Sequence, residues 1–122
     1  MQKTFNVKAH GKGLKVILLD SVAAVRGKWD KLYGKAATED DLATAFFVPP
    51  HHRCRESSYG TIYLPRRHPQ VTAYVIHECT HAAINQAREL GAEELDASAE
   101  ENVAILTGLL AARVLSKLSA HR

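Results

Sequence analysis

The feature that most constrains the fold is a pair of long helical patterns separated by Gly91. The first covers residues 70–90 and the second runs from residue 96 or 97 to residue 118, with apolar residues recurring three or four positions apart. Glycine readily takes the left-handed conformation that ends a helix, so Gly91 marks a helix stop. The connection around it is long enough for the second helix to return antiparallel against the first.

The first half of the chain contains short β-type runs and one helical segment. Strands are expected at residues 14–19 (LKVILL), 45–48 (AFFV) and 60–64 (GTIYL). A helix is expected after Asp20 and Ser21, two candidate N-cap residues, and Gly34 ends it. A short helical stretch is expected from Thr38. The predicted order β, α, β, β, α, α indicates an α+β fold with a small mixed or antiparallel sheet.

The chain's 122 residues make one ordinary domain, so we treat residues 1–122 as a single unit. With 46% hydrophobic and 24% charged residues, the composition is typical of a soluble globular protein. No apolar run approaches the roughly 20 residues that cross a bilayer, and the N-terminal segment is too polar for a signal peptide. These features predict a cytoplasmic protein with no membrane partner, in which Cys54 and Cys79 stay as thiols.

Charge is distributed unevenly along the chain, whose formal net charge is +3. Residues 1–35 carry eight Lys and Arg against two Asp, whereas residues 89–101 carry five Glu and one Asp. Because the lysines are spaced out and no aromatic residues are interleaved with them, the pattern favours a solvated surface over a nucleic-acid patch.

Within the first long helix stands an HExxH motif, His77-Glu78-Cys79-Thr80-His81. Two histidines four residues apart lie on one face of a helix, so both imidazoles can reach the same Zn²⁺. The glutamate after the first histidine is placed beside the open position of such a metal. The alternative is a surface helix with two solvated histidines, and Cys79 is interpreted as a small core residue.

A catalytic zinc ion needs a third protein ligand, and two glutamates near the start of the next helix are candidates. Glu101 shares a helix face with the small residues Ala104 and Gly108, which would let the second helix approach closely. Glu100 lies about 100° away around the helix. We favour Glu101 as the third ligand, with Glu100 as the alternative, and interpret the other glutamate as a solvated charge at the helix start.

An HExxH followed by a glutamate in the next helix resembles the gluzincin branch of the zincin metallopeptidases. The small size and the strand just upstream are similar to the ImmA/IrrE-like and phage-encoded minimal metallopeptidases, and so is the stretch EENVAILTGLL, which includes Glu101. The resemblance covers roughly residues 60–115. It departs at Ile105, where thermolysin-like enzymes carry an acidic residue that orients a zinc histidine.

The resemblance implies a bacterial or phage metallopeptidase in which His77, His81 and Glu101 hold Zn²⁺. Glu78 would act as the general base that takes a proton from the zinc-bound water and passes it to the leaving amine. The substrate would be a peptide or protein lying along residues 60–64 by β-augmentation. Candidate oxyanion stabilisers are Tyr59, Tyr63, Arg66, Arg67 and His68.

Two other interpretations stay open from the sequence. The chain could be a non-catalytic binding protein for a partner protein or nucleic acid, built on the same scaffold around a structural or vestigial metal. The intact motif argues against this, since a structural site does not need Glu78. His51, His52 and Cys54 could form a second metal site, but their spacing is not that of a closed zinc site and favours a loop.

Overall fold

The computed structural model describes residues 2–34, 44–91 and 96–121, and within them the chain forms four strands and three helices. The strands are β1 (Lys3–Ala9), β2 (Lys12–Leu19), β3 (Phe46–Val48) and β4 (Ser58–Pro65). The helices are α1 (Val22–Tyr33), α2 (Val71–Glu89) and α3 (Ala97–His121). The α+β class and the small mixed sheet are confirmed. The helical stretch expected from Thr38 lies outside the described residues.

Strand β1 was missing from the predicted order. It pairs with β2 in antiparallel register through a two-residue turn, His10 and Gly11, both of which have positive φ (53° and 77°). Such turns match the twist of the flanking strands. The available signal was the alternation of Phe5, Val7 and Ala9, which all point into the core.

The sheet has the strand order β1-β2-β4-β3, so β4 is an inner strand. It runs parallel to β2 on one side and antiparallel to β3 on the other, where Val48 faces Thr61 and Phe46 faces Tyr63. The prediction that residues 60–64 form a free edge for substrate is therefore wrong, because β3 already takes the hydrogen bonds on that side. In the part of the chain that the structure describes, the edge strands of the sheet are β1 and β3.

Gly60 allows β3 to lie close against β4. Its φ is +114°, and a Cβ atom built there would stand 2.8 Å from the Phe47 ring and closer still to the Val48 carbonyl. No other residue type combines that backbone conformation with so little volume. Gly60 therefore fixes how the β3 edge meets the central strand.

The helices cover both faces of the sheet. Helices α2 and α3 pack on one face and α1 packs on the other. Strand β2 serves both layers because side chains alternate along a strand: Val16 and Leu18 face α2 and α3, whereas Ile17 and Leu19 face α1. The predicted N-cap of α1 is confirmed for Ser21, whose side chain accepts a hydrogen bond from the Ala24 backbone N–H at 3.1 Å.

Helix α3 is long and apolar enough, by length and composition, to cross a membrane. The core helix of a soluble protein meets the same criteria. Here Val103, Leu106, Leu110, Val114 and Leu118 form a stripe that belongs to the main core cluster.

Candidate metal centre

The periodicity of α2 separates a core side from a side that faces solvent. Val75, Cys79 and Ala82 are fully buried against the sheet and α3, and the prediction that Cys79 is a core residue is confirmed. His77 and His81 lie on the opposite side and are exposed. This placement follows from the helical repeat of 3.6 residues, which puts residues 77 and 81 about 160° and 200° around the helix from residue 79.

The two imidazoles converge on one point. The Nε2 atoms of His77 and His81 are 3.1 Å apart, and the ring planes meet at 77°. Two nitrogen ligands of a tetrahedral zinc ion, each at 2.0–2.1 Å, are separated by about 3.3 Å. The separation in the structure therefore suits two ligands of a single ion without rearrangement of the helix.

Glu78 completes a group of three. One carboxylate oxygen of Glu78 and one ring nitrogen from each histidine all lie within 4.8 Å of one another. Glu78 is only 4% exposed, and it is the one buried charged side chain within the described residues. Burial raises the pKa of Glu78 from 4.5 to about 7. A carboxyl group with such a pKa can both accept and release a proton near neutral pH.

The electrostatics of His81 favour its neutral form. Burial lowers its pKa, and the neighbouring His77 lowers it further. Neutral imidazole is the form that binds a metal ion, so less free energy is needed to remove a proton from His81 when a metal ion binds.

The structure does not bring Glu101 to the histidines. Within residues 2–34, 44–91 and 96–121, the only group of three metal-ligating side chains is His77, Glu78 and His81. Both Glu100 and Glu101 are exposed near the start of α3 and lie outside that group.

The face on which the prediction placed Glu101 does not pack against α2. Of the small residues expected on that face, Ala104, Gly108 and Ala112 are exposed. The alternative member, Ala111, is buried with the stripe around Val103 and Leu110, which is the side of α3 that packs. The small-residue argument for Glu101 was therefore wrong, since the larger side chains bury more apolar surface and determine the rotation of the helix.

Position along the helix axis also separates Glu101 from the histidines. Gln86 and Ala87 near the end of α2 line a cavity together with Asn102 and Val103. The first turns of α3 thus lie beside the last turns of α2, beyond His81. A short connection between antiparallel helices brings the first turn of the second beside the last turns of the first.

Three of the candidate oxyanion stabilisers are engaged elsewhere. Tyr59 is buried, and its hydroxyl donates to the Ala9 carbonyl at 2.6 Å. Tyr63 packs in the cluster on the α1 face of the sheet, away from α2. The Arg66 side chain is largely buried and lies 3.9 Å from Asp20.

Of the other two candidates, Arg67 is exposed and His68 lies near the start of α2. The His68 ring centroid is 5.0 Å from that of Tyr74. Tyr74 precedes His77 by three residues and Glu78 by four, so it lies one turn away on the same side of the helix. Sequence reasoning missed Tyr74, which stands among the apolar residues of the helical pattern over residues 70–90. Its spacing from the HExxH was the signal available.

An exposed 3₁₀ turn spans His52–Cys54, and the exposed His51 immediately precedes it. The Nδ1 atom of His51 accepts a hydrogen bond from the Arg53 backbone N–H at 3.2 Å, which occupies one of its two ring nitrogens.

Comparison of the chain with protein-family models, with curated proteins and with solved structures finds no match. Function is therefore inferred from the side chains of α2. Two converging imidazoles can hold a metal ion, and the buried carboxyl beside them can exchange a proton with a water molecule.

Proposed function

We propose that this protein is a zinc-dependent peptidase with an HExxH metal centre, in which His77 and His81 bind the metal and Glu78 is the general base. The observation that carries the proposal is the pair of Nε2 atoms 3.1 Å apart beside a carboxyl group that is 4% exposed. A pair of solvated surface histidines would have no reason to be accompanied by a buried glutamate, since burying an unpaired carboxyl costs free energy.

Zinc is the proposed ion because imidazole nitrogen suits it and the donor separation matches its tetrahedral geometry. When bound, zinc would polarise the scissile carbonyl and lower the pKa of water to about 7. The histidines lie on adjacent turns of one long helix, which holds both rings in place from the same rigid element.

Glu78 moves the proton in the proposed reaction. Its carboxylate takes a proton from the attacking water, holds it, and then donates it to the nitrogen of the leaving amine. A pKa of about 7 suits both steps, because the group loses and regains a proton at little cost near neutral pH. Burial among apolar side chains keeps bulk water from exchanging that proton.

The peptide substrate is proposed from the resemblance to zincins. Its position differs from the one expected from the sequence, because β4 is an inner strand of the sheet. Strand β3 is an edge strand that packs against α2, so within the described residues it offers backbone groups that no other strand pairs. An extended peptide would add to this edge by β-augmentation.

The test combines metal analysis with peptide cleavage. Zinc content would be measured by elemental analysis for the wild type, His77→Ala and Glu78→Gln, with His52→Ala as a control that removes an exposed histidine elsewhere. The same proteins would be incubated with a mixed peptide library, with and without a chelator, and the products read by mass spectrometry.

We expect about one zinc per chain in the wild type and in His52→Ala, and its loss in His77→Ala. Glu78→Gln should keep its zinc while turnover falls by a factor on the order of 100 or more. Equal zinc in the wild type and His77→Ala would refute the metal centre. Zinc binding without chelator-sensitive cleavage would favour the non-catalytic binding protein instead.

A further inference from the structure

The fold joins two basic segments from opposite ends of the chain. Residues 2–19 contain four lysines and no acidic residue, and residues 102–121 contain Arg113 and Lys117 and no acidic residue. Strand β1 and α3 bring these segments into contact, since Arg113 donates to the Lys8 carbonyl and the Lys117 Nζ atom donates to the Asn6 carbonyl at 2.8 Å. Two sets of charges that are about a hundred residues apart in sequence therefore become one surface.

This surface, the basic edge, consists of Lys8, Lys15, Arg113 and Lys117, whose side chains are all exposed. Lys8 and Lys15 project from the β1–β2 hairpin on the face of the sheet opposite α3, and the two α3 residues flank the edge of the sheet at β1. A groove of about 400 Å³ runs between β1 and α3. It is lined by Asn6, Val7, Lys8, Arg113, Ser116 and Lys117.

Two side chains of the basic edge, Arg113 and Lys117, are held in place by hydrogen bonds that leave most of their donors available. An arginine has five N–H donors and a lysine three, and in Arg113 and Lys117 one is given to a carbonyl of β1. None of the four cations forms an ion pair within the described residues. Unrelieved charges of one sign attract a polyanion, and fixed side chains lose less conformational entropy when they bind one.

We propose that the basic edge binds the sugar-phosphate backbone of duplex nucleic acid. Among the described residues no aromatic side chain lines the groove, so these residues offer no platform on which unpaired bases could stack. Backbone contacts without stacking suit a duplex, whose bases are already paired. None of the exposed large hydrophobic residues belongs to the basic edge, so the apolar anchor of a membrane-binding surface is missing from the described residues there.

The proposed duplex site is separate from the metal centre. Helix α3 packs against β1, whereas α2 packs against β4 and β3 at the opposite end of the strand order. Binding should therefore be the same in the wild type and in His77→Ala, and it does not depend on the peptidase proposal. The sequence favoured a solvated surface because its lysines are spaced out along the chain, a spacing that the fold removes.

The test measures how binding depends on salt. A fluorescently labelled 20-base-pair DNA duplex of random sequence would be titrated with the full chain at several salt concentrations, and binding read by anisotropy. Four phosphate contacts predict a slope of log K against log salt of about −3.6. The double variant Lys8→Gln/Lys15→Gln should lower the slope to about −1.8 and weaken binding about tenfold or more at low salt.

The matched control is Lys28→Gln/Lys31→Gln on α1, which removes the same charge without changing a residue of the groove between β1 and α3. It should change the affinity less than about twofold, because a charge that does not contact phosphate acts only through screened solvent. Neither double variant removes a side chain that donates a hydrogen bond within the described residues, so both should fold, and circular dichroism checks this. Equal losses in the two variants would overturn the proposal, since diffuse net charge would then explain binding.

Three other probes distinguish the competing partners at the same ionic strength. A single-stranded oligonucleotide, poly-glutamate and vesicles of phosphatidylserine and phosphatidylcholine should all bind more weakly than the duplex. Tighter binding of any of them would overturn the assignment to duplex nucleic acid and point to a stacking, acidic-peptide or membrane site, respectively.

Discussion

The substitution Glu78→Gln should change how the stability of the metal-free protein depends on pH. Burial raises the pKa of Glu78 from 4.5 to about 7, so the folded chain keeps this proton to higher pH than the unfolded chain does. Stability is then highest below pH 4.5, falls as the pH rises towards 7, and is flat above it. At about 1.4 kcal/mol per pKa unit, the loss amounts to about 3 kcal/mol.

Glutamine has a similar shape and cannot ionise, so Glu78→Gln should lack this loss. The free energy of unfolding would be measured by urea titration with a chelator present, followed by the fluorescence of Trp29, at several values between pH 4.5 and 8. We expect the difference between variant and wild type to grow by about 3 kcal/mol in favour of the variant across this range. The exposed Glu100→Gln serves as the control and should show almost no such change. A difference for Glu78→Gln that stays constant with pH would refute the buried, proton-holding carboxyl.

Further outcomes follow from the packing around other residues. In the same urea assay, Gly60→Ala should lower the free energy of unfolding by about 2–4 kcal/mol, because the added Cβ has no room. Gly108→Ala should raise it by up to about 1 kcal/mol, because no atom lies within 4 Å of the added Cβ and alanine favours a helix. Tyr59→Phe should cost about 1–2 kcal/mol, since it removes the buried hydrogen bond that the Tyr59 hydroxyl donates to the Ala9 carbonyl. The zinc affinity, measured by calorimetry, should stay within about twofold of the wild-type value in both Glu101→Gln and Glu100→Gln. A loss of tens of fold in Glu101→Gln alone would show that Glu101 is the third ligand.

The sequence was sufficient where structure depends on local geometry. The helix predicted over residues 70–90 is Val71–Glu89, and the strand predicted at residues 14–19 lies within Lys12–Leu19. The convergence of His77 and His81 follows from the helical repeat alone, because residues four apart share a face in any α-helix. The burial of Cys79 on the opposite side follows from the same repeat.

Tertiary structure decided the features that depend on competition between distant segments. The alternation in residues 60–64 predicts a strand but not its neighbours, and β3 took the side of β4 that was expected to be free. Helix α3 is apolar around much of its circumference, so its sequence allows more than one rotation. The stripe containing Leu110 packs inward because it buries more apolar surface than the stripe containing Gly108, and this turns Glu101 away from the histidines.

The HExxH motif and the basic edge thus have different origins. His77, Glu78 and His81 are brought together by one turn of helix, which a sequence specifies directly. The basic edge depends on Lys117 meeting a strand more than a hundred residues away, a contact that exists only once α3 lies across the end of the sheet. Local periodicity was enough to predict the grouping of the HExxH residues. The basic edge could not be predicted in this way, because it depends on packing between the two ends of the chain, which no sequence repeat relates.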